Sequence, residues 1–367
     1  MSGLWAKLTR ALQRRRLEAA LRPALDAVGS GPRALFFPST GPEGAALLRA
    51  YNVADALVDL GWHTAVIPPE FSAAQRTRAM HRFQPDAVVL QSCRHHLNRA
   101  ENFEGHTVIL DLDDADFYLG EDRRDVLTAV LARAKGVICG SRFIRDWFAD
   151  QGAETSIVWT GTPVSMAQRK PHQSRGRLVV WAQSHPEDYV KEFDFVANIL
   201  CEAATQTAPF EARFYGVENE DHPNLKRLRA AGVAVQLLPT LGYADYLRSL
   251  EDAAVGLSPI MPANPFSRGK SFGKILAYLD AKVPVICSDE ADHALFFDGK
   301  NGVVTNDPET WVARIVGLLD EAAQRQAMAD RAHESFRKRL SLTVAARHVD
   351  AALRNWLDRP AVERLAS

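Results

Sequence analysis

From Arg33 onward the chain alternates short apolar runs with amphipathic stretches, and it does so in two series. The runs Ala34–Pro38, Thr64–Pro68, Ala87–Gln91, Thr107–Asp111, Gly136–Gly140 and Ser156–Trp159 read as strands. Between them lie helical periods, among them Ala45–Leu60, Arg123–Lys135 and Arg142–Asp150. Such βα alternation implies a parallel sheet covered by helices on both faces. The polar stretch 168–176 interrupts the pattern and has the composition of an exposed linker. The alternation then restarts, with Leu178–Ala182, Ala212–Gly216, Ala234–Leu238, Ala254–Ser258, Val285–Ser288 and Gly302–Thr305 as strands. Tyr189–Thr205 and Tyr243–Glu251 are helices of this second series, and 308–365 is mostly helical. The expectation is an α/β protein of two Rossmann-like domains, residues 31–167 and 177–340, preceded by a helical segment 1–30.

Composition fits this plan. A chain of 367 residues is comfortable for two domains, and 47% hydrophobic residues can fill two cores. The formal net charge of −1 supplies none of the basic excess that nucleic-acid binding needs. Cys93, Cys139, Cys201 and Cys287 are widely spaced and sit in or near apolar runs, as buried reduced thiols do. A cytoplasmic location follows from that reading, with neither a spanning segment nor a signal peptide in the sequence. Residues 1–25 place Leu4, Trp5, Leu8, Leu12 and Leu17 at helical spacing beside Arg10, Arg14, Arg15 and Arg16. A basic amphipathic helix of this kind can lie on an anionic membrane surface, at the inner face of a cytoplasmic membrane, or pack on the body of the protein with a solvated basic face.

The densest chemistry lies in residues 264–279, which run into Pro284-Val285-Ile286-Cys287-Ser288. A loop around Gly269 carries Arg268, Lys270 and Lys274 into the first turns of a predicted helix. Small residues allow a close backbone approach, and a helix start favours an anion. Lys270 and Lys274, four apart, would share a helix face. The arrangement suits a diphosphate.

This segment resembles the donor-binding segment of bacterial GT-B glycosyltransferases, in the retaining family-four group of glycosyl transferases group 1. Gly269, Lys270, Lys274, Tyr278 and Pro284 fall on that family's pattern, while Asp280 and Lys282 replace its small residues. Residues 298–304, followed by Glu309 and Trp311, match its D-G-x-N-G hairpin and following helix. The resemblance implies a GT-B fold, two Rossmann-like parallel-sheet domains facing a central cleft, with the last helix, within 341–367, crossing back to the first domain. It implies a nucleotide diphosphate sugar as co-substrate, no required cofactor and no metal. It implies retention, and a glycan, lipid-linked or protein acceptor in surface glycan synthesis. The family's glutamates fall here on Gly269, Ala277 and Ala294, which leaves the sugar and ribose contacts unassigned.

Other strand ends carry candidates, since ligands of open α/β sheets bind there. Ser184 resembles the phosphate-contacting serine of the relatives, with Gln183 in place of a glycine; by its position it also reads as a helix cap. With Arg268, Gly269, Lys270 and Lys274 it makes the expected phosphate cradle, in which Lys270 would stabilise the leaving charge. Asp111, Asp113, Asp114 and Asp116 end the strand from Thr107. They read as an acceptor or sugar site with Asp113 and Asp114 catalytic, as a metal site, or as a helix cap. Thr40 and Gly41, in the loop after the first strand, resemble an acceptor- or sugar-facing loop, and His293 lies near the sugar by the same resemblance. His95 and His96 read as rim residues. Loss of the glutamates also supports a second reading, a degenerate GT-B protein that binds nucleotide, sugar or a partner without turnover; a nucleotide-sugar epimerase is a third.

Overall fold

The computed structural model describes residues 2–27 and 29–358, with the side chains of residues 2–12 outside the description. The chain divides into two compact units, one formed by the residues up to Thr160 together with those from Leu342, the other by Gly161–Ser341.

In the first unit β1 (Arg33–Pro38), β2 (His63–Val66), β3 (Ala87–Gln91), β4 (Val108–Leu112), β5 (Ala134–Cys139) and β6 (Thr155–Ile157) form one parallel sheet in the order β2-β1-β3-β4-β5-β6. Alternate residues of a strand point to opposite faces, so β1 feeds two cores. Leu35 and Phe37 pack with α1 (Ser2–Asp26), α4 (Ala73–Phe83), α5 (Glu121–Leu131) and α6 (Arg142–Asp150). Ala34 and Phe36 pack with α3 (Asn52–Val58) and with α15 (Leu342–Leu357). Ahead of α3 the chain makes α2 (Gly44–Ala46) and a π-helical turn, Leu47–Tyr51.

The helix α15 is held to this sheet by a specific fit. Trp356 lies against Gly136, where any Cβ would come within 2.2 Å of the indole. Trp62 Nε1 donates to Asp350 at 2.7 Å. The second half of α1 also packs here: Leu25 is buried, Leu17, Leu21 and Ala24 lie against the core, and Glu18 accepts from Gln75 and Arg78. The candidate membrane face, with Leu4, Trp5, Leu8 and Leu12, lies outside the described side chains, and among the described residues no helix is long and apolar enough to cross a membrane.

In the second unit β7 (Leu178–Trp181), β8 (Glu211–Tyr215), β9 (Ala234–Leu238), β10 (Val255–Ser258), β11 (Val285–Cys287) and β12 (Val303–Val304) form a parallel sheet in the order β12-β11-β10-β7-β8-β9. Its helices are α7 (Val190–Ala204), α8 (Pro223–Ala230), α9 (Tyr243–Ser249), α10 (Pro265–Arg268), α11 (Gly273–Asp280), α12 (His293–Phe296), α13 (Pro308–Asp320) and α14 (Ala322–Arg339). The strand order reverses between β7 and β10 here, and between β1 and β3 in the other unit.

One expectation is corrected. Lys135 belongs to β5, because the helix before it ends at Leu131. The polar stretch 168–176 is mostly exposed, and it is anchored within the second unit at two residues. His172 and Arg175 are buried, and the Arg175 guanidinium donates to the carbonyls of Lys170, Ala253 and Ala281. Asp280 explains part of this packing, since its carboxylate accepts from Ser165 N at 3.0 Å and faces Arg169 at 3.5 Å.

Candidate functional site

The switch between β7 and β10 opens a recess lined by Gln183, Tyr189, Glu192, Ser258, Lys270, Lys274 and His293, among others. Open α/β sheets bind ligands at this topological position. The loop after β10 reaches it through a short turn: Asn264 caps α10 by accepting from Ser267 N at 3.3 Å, Pro265 fills its first position, and Gly269 closes it. Lys270 therefore stands between two helices, and Lys274 in the first turn of α11.

The two lysines do not share one helix face; the turn brings them together against one ring. Lys270 Nζ donates to Tyr189 Oη at 2.8 Å and stands 4.6 Å from that ring's centre and 5.1 Å from that of Phe266. Lys274 Nζ stands 5.2 Å from the Tyr189 centre. Cations over an aromatic face are attracted by its quadrupole. Lys274 nonetheless occupies a helix start, where the dipole disfavours positive charge. An anion bound between the lysines and the helix start relieves that conflict.

The floor of the recess is fixed by buried groups. Tyr278 Oη accepts from Ala182 N at 2.8 Å and packs so tightly on Gly256 that any Cβ there would meet its ring at 2.8 Å. His293 is buried and follows two non-glycine residues with positive φ, Ala291 (52°) and Asp292 (63°). Its Nδ1 lies 2.8 Å from Ser288 O, an atom that can only accept, so Nδ1 carries the proton. Burial pushes the imidazole down to about 4, which leaves Nε2 an acceptor at neutral pH.

In the first unit the end of β4 separates its aspartates into different environments. Asp111 is buried and accepts from Arg49 Nε, while Arg49 Nη1 donates to Val158 O at 2.9 Å and Thr160 Oγ1 at 3.1 Å. Arg49 sits in the π-helical turn, a geometry that inserts a residue and re-aims a side chain. Arg94 donates to Asp114 at 2.8 Å and grips Asp116 through Nε and Nη2. Asp116 also accepts from Ser92 Oγ at 3.1 Å, and Ser92 has a φ of 64° at the β3 end. Asp113 is half-buried without a hydrogen bond among the described residues; burial, and then the Asp114 carboxylate, push it up to about 7. Carboxylates driven to different protonation behaviour by their surroundings are the pattern of acid/base sites.

Comparison with known proteins agrees with this architecture. Residues 197–350 match the family model described as glycosyl transferase-like. No curated protein matches the sequence. Among solved structures, the chain is similar to sucrose-phosphate synthase of Thermosynechococcus elongatus, at 14% identity and a TM-score of 0.64 over 89% of this chain and 99% of that one. HepE of Anabaena, crystallised with UDP, gives 14% identity and 0.63 over 88% and 100%. A glycosyltransferase of Rickettsia africae gives 11% and 0.63 over 90% and 100%. The fold is GT-B.

On this GT-B scaffold the predicted site residues separate. Lys270, Lys274 and His293 line the recess. Arg268 turns to Glu290, with Nε to Oε2 at 3.1 Å, and Gly269 is the closing residue of α10 with an ordinary φ of −81°. Ser184 lies exposed beyond the recess lining, where its carbonyl accepts from Thr240 Oγ1 at 3.3 Å; it caps neither of the helical turns that follow. Asp111, expected to meet sugar or acceptor, is instead the buried anchor of Arg49. Thr40 and Gly41 form a turn after β1, Gly41 having open space around its Cα. His95 is held by Arg76, whose Nη2 lies 3.1 Å from its Nδ1, and among the described residues no cluster suits a metal ion. Sequence reading missed Tyr189 and Glu192. The only signal was position: both fall at the start of the helix after β7, beside the switch strand.

Proposed function

We propose that the protein is a glycosyltransferase that takes a sugar from a nucleotide diphosphate sugar, with a uridine nucleotide as the first candidate. The observation that carries this is the pair Lys270 and Lys274 gathered on Tyr189 at the β7/β10 switch. Structures similar to this one hold UDP, HepE and an α-glucosyltransferase among them, which supports the choice of nucleotide.

In this reading the diphosphate sits on the lysines and the α11 helix start. As the bond from the anomeric carbon to the β-phosphate oxygen breaks, that oxygen keeps the electron pair, and the ammonium groups stabilise the growing charge. The acceptor hydroxyl oxygen bonds to the anomeric carbon, and its proton passes to the leaving phosphate, which gives retention without a protein nucleophile. Within the first unit, Asp113, with Asp114 beside it, is the candidate group for an acceptor hydroxyl. The acceptor is a hydroxyl of a glycan, a lipid-linked sugar or a glycosylated protein, reached from the cytoplasmic side, with the N-terminal helix as a peripheral membrane contact. Neither a metal nor another cofactor is needed where lysines neutralise the diphosphate.

The test is release of nucleoside diphosphate from a panel of UDP-, GDP-, ADP- and CDP-sugars, with and without glycan acceptors. The expected result is turnover of one donor class that Lys270→Ala abolishes. Tight nucleotide binding with no turnover of any donor would contradict the transferase and favour a nucleotide-binding GT-B protein.

A further inference from the structure

The lysines account for an anion, but the recess also holds two polar side chains that they do not explain. Glu192 is 3% exposed. Among the described residues its one hydrogen bond is a long contact from Met261 N, 3.4 Å from Oε1. Gln183 is 5% exposed, and its Oε1 is buried with no partner. Both line the recess that holds Lys270 and Lys274. Glu192 follows Tyr189 by three residues, so one segment carries the ring that holds the lysines and the carboxylate beside them.

A buried amide oxygen left without a donor, and a buried carboxylate with a single long hydrogen bond, cost free energy unless a ligand or water supplies further donors. Phosphate oxygens cannot do so, since they only accept. A ligand held by all of these groups is anionic where it meets the lysines and carries hydroxyl donors where it meets Glu192 and Gln183. Carboxylates in the resembling family would meet those hydroxyls, and their positions are Gly269, Ala277 and Ala294 here.

We infer that Glu192 and Gln183 are the hydroxyl-binding residues of this recess, accepting from a hydroxyl pair of the donor in place of those missing carboxylates. The inference rests on the donor reading above. A hydroxyl pair is present both in a nucleotide ribose and in the sugar to be transferred, and both present the same O–H donors.

Calorimetric titration of UDP and of UDP-glucose into wild type, Glu192→Gln and Gln183→Ala tests it. Loss of a hydrogen bond to a charged acceptor weakens binding by about tenfold or more. A loss with UDP itself supports the inference and names the ribose; a loss confined to UDP-glucose supports it and names the sugar. A Glu192 that merely offsets lysine charge behaves in the opposite sense, because its removal tightens phosphate binding. Unchanged or tighter affinity for both nucleotides in both variants therefore overturns the inference while leaving the donor reading intact. A wild type that binds neither these two nor the GDP, ADP and CDP conjugates overturns the donor reading and this inference with it. Thermal melting checks that each variant folds, and Gln183→Ala keeps the test open should Glu192→Gln not fold.

Discussion

The β4 end of the first unit gathers four aspartates, and the loop after β10 in the second gathers two lysines, but the two clusters are held by different means. The acidic cluster is organised from within by cations: Arg49 takes Asp111, and Arg94 takes Asp114 and Asp116. Lys270 is held by a neutral phenol and two aromatic faces. A cation already paired to a carboxylate gives up that pair to bind phosphate, whereas one resting on a ring keeps most of its attraction for an anion. The contrast teaches where each cluster spends its charge. The acidic end is pinned except for Asp113, whereas Lys270 is, among the described residues, positioned without a carboxylate partner.

Lys270→Ala is the sharpest way to break this comparison. It removes a charge-assisted phosphate contact, and nucleotide affinity is expected to fall by about 100-fold, read by calorimetry. Asp113→Asn strikes the other cluster. Turnover is expected to fall by about 100-fold with nucleotide affinity unchanged, read as a kcat loss at constant Kd. If Asp113 acts as a carboxylate, wild-type turnover is expected to rise with pH through about 7, and Asp113→Asn is expected to remove that rise, read from a pH–rate profile.

Tyr189 separates the two ways of holding a cation. Tyr189→Phe keeps the ring and loses the Oη bond, so about a threefold loss of affinity is expected, against about tenfold for Tyr189→Leu, in the range of cation–π and hydrogen-bond contributions. Equal losses would show that only the phenol oxygen matters.

The smallest effects on chemistry are architectural. Gly256→Ala drives a Cβ into the Tyr278 ring under the recess, and Gly136→Ala drives one into Trp356 under α15. Each is expected to cost about 1–3 kcal/mol of stability, the usual range for overpacking, seen as a lower Tm. Only Gly256→Ala is expected to weaken nucleotide binding as well, because Tyr278 holds the end of β7 through Ala182 N.

Acid stability follows from His293. Its folded-state pKa of about 4 lies below the ordinary histidine value, so the unfolded chain takes up the proton first. Its stabilising contribution is present above about 6.5 and lost as pH falls toward 4. His293→Gln should flatten the fall of the melting temperature across that window, measured by scanning calorimetry.

Much of the fold was legible because strands buried on both faces leave uninterrupted apolar runs, and β1, β3 and β10 are such strands. The end of β5 and the packed turn at His172 were not, because Lys135 and the 168–176 stretch are polar locally and owe their placement to distant carbonyls such as Ala253 O and Ala281 O. Of the site, Lys270 and Lys274 were readable from charge and register. The direction of Arg268 toward Glu290 was not, since a salt bridge across 22 positions leaves no periodic trace. Asp111 and Asp113 look alike in sequence, but the π-helical turn buries one under Arg49, and only folding shows which carboxylate is left to act. Gln183, read from the resemblance only as a replacement for a glycine, has a buried Oε1 without a partner, which sequence does not reveal.

The division of labour between the two clusters is tested most directly by titrating UDP into wild type, Lys270→Ala and Asp113→Asn under one buffer. The account predicts binding by the wild type and by Asp113→Asn with equal affinity, and a loss of about 100-fold in Lys270→Ala. An affinity unchanged in Lys270→Ala, or lost equally in Asp113→Asn, would contradict it.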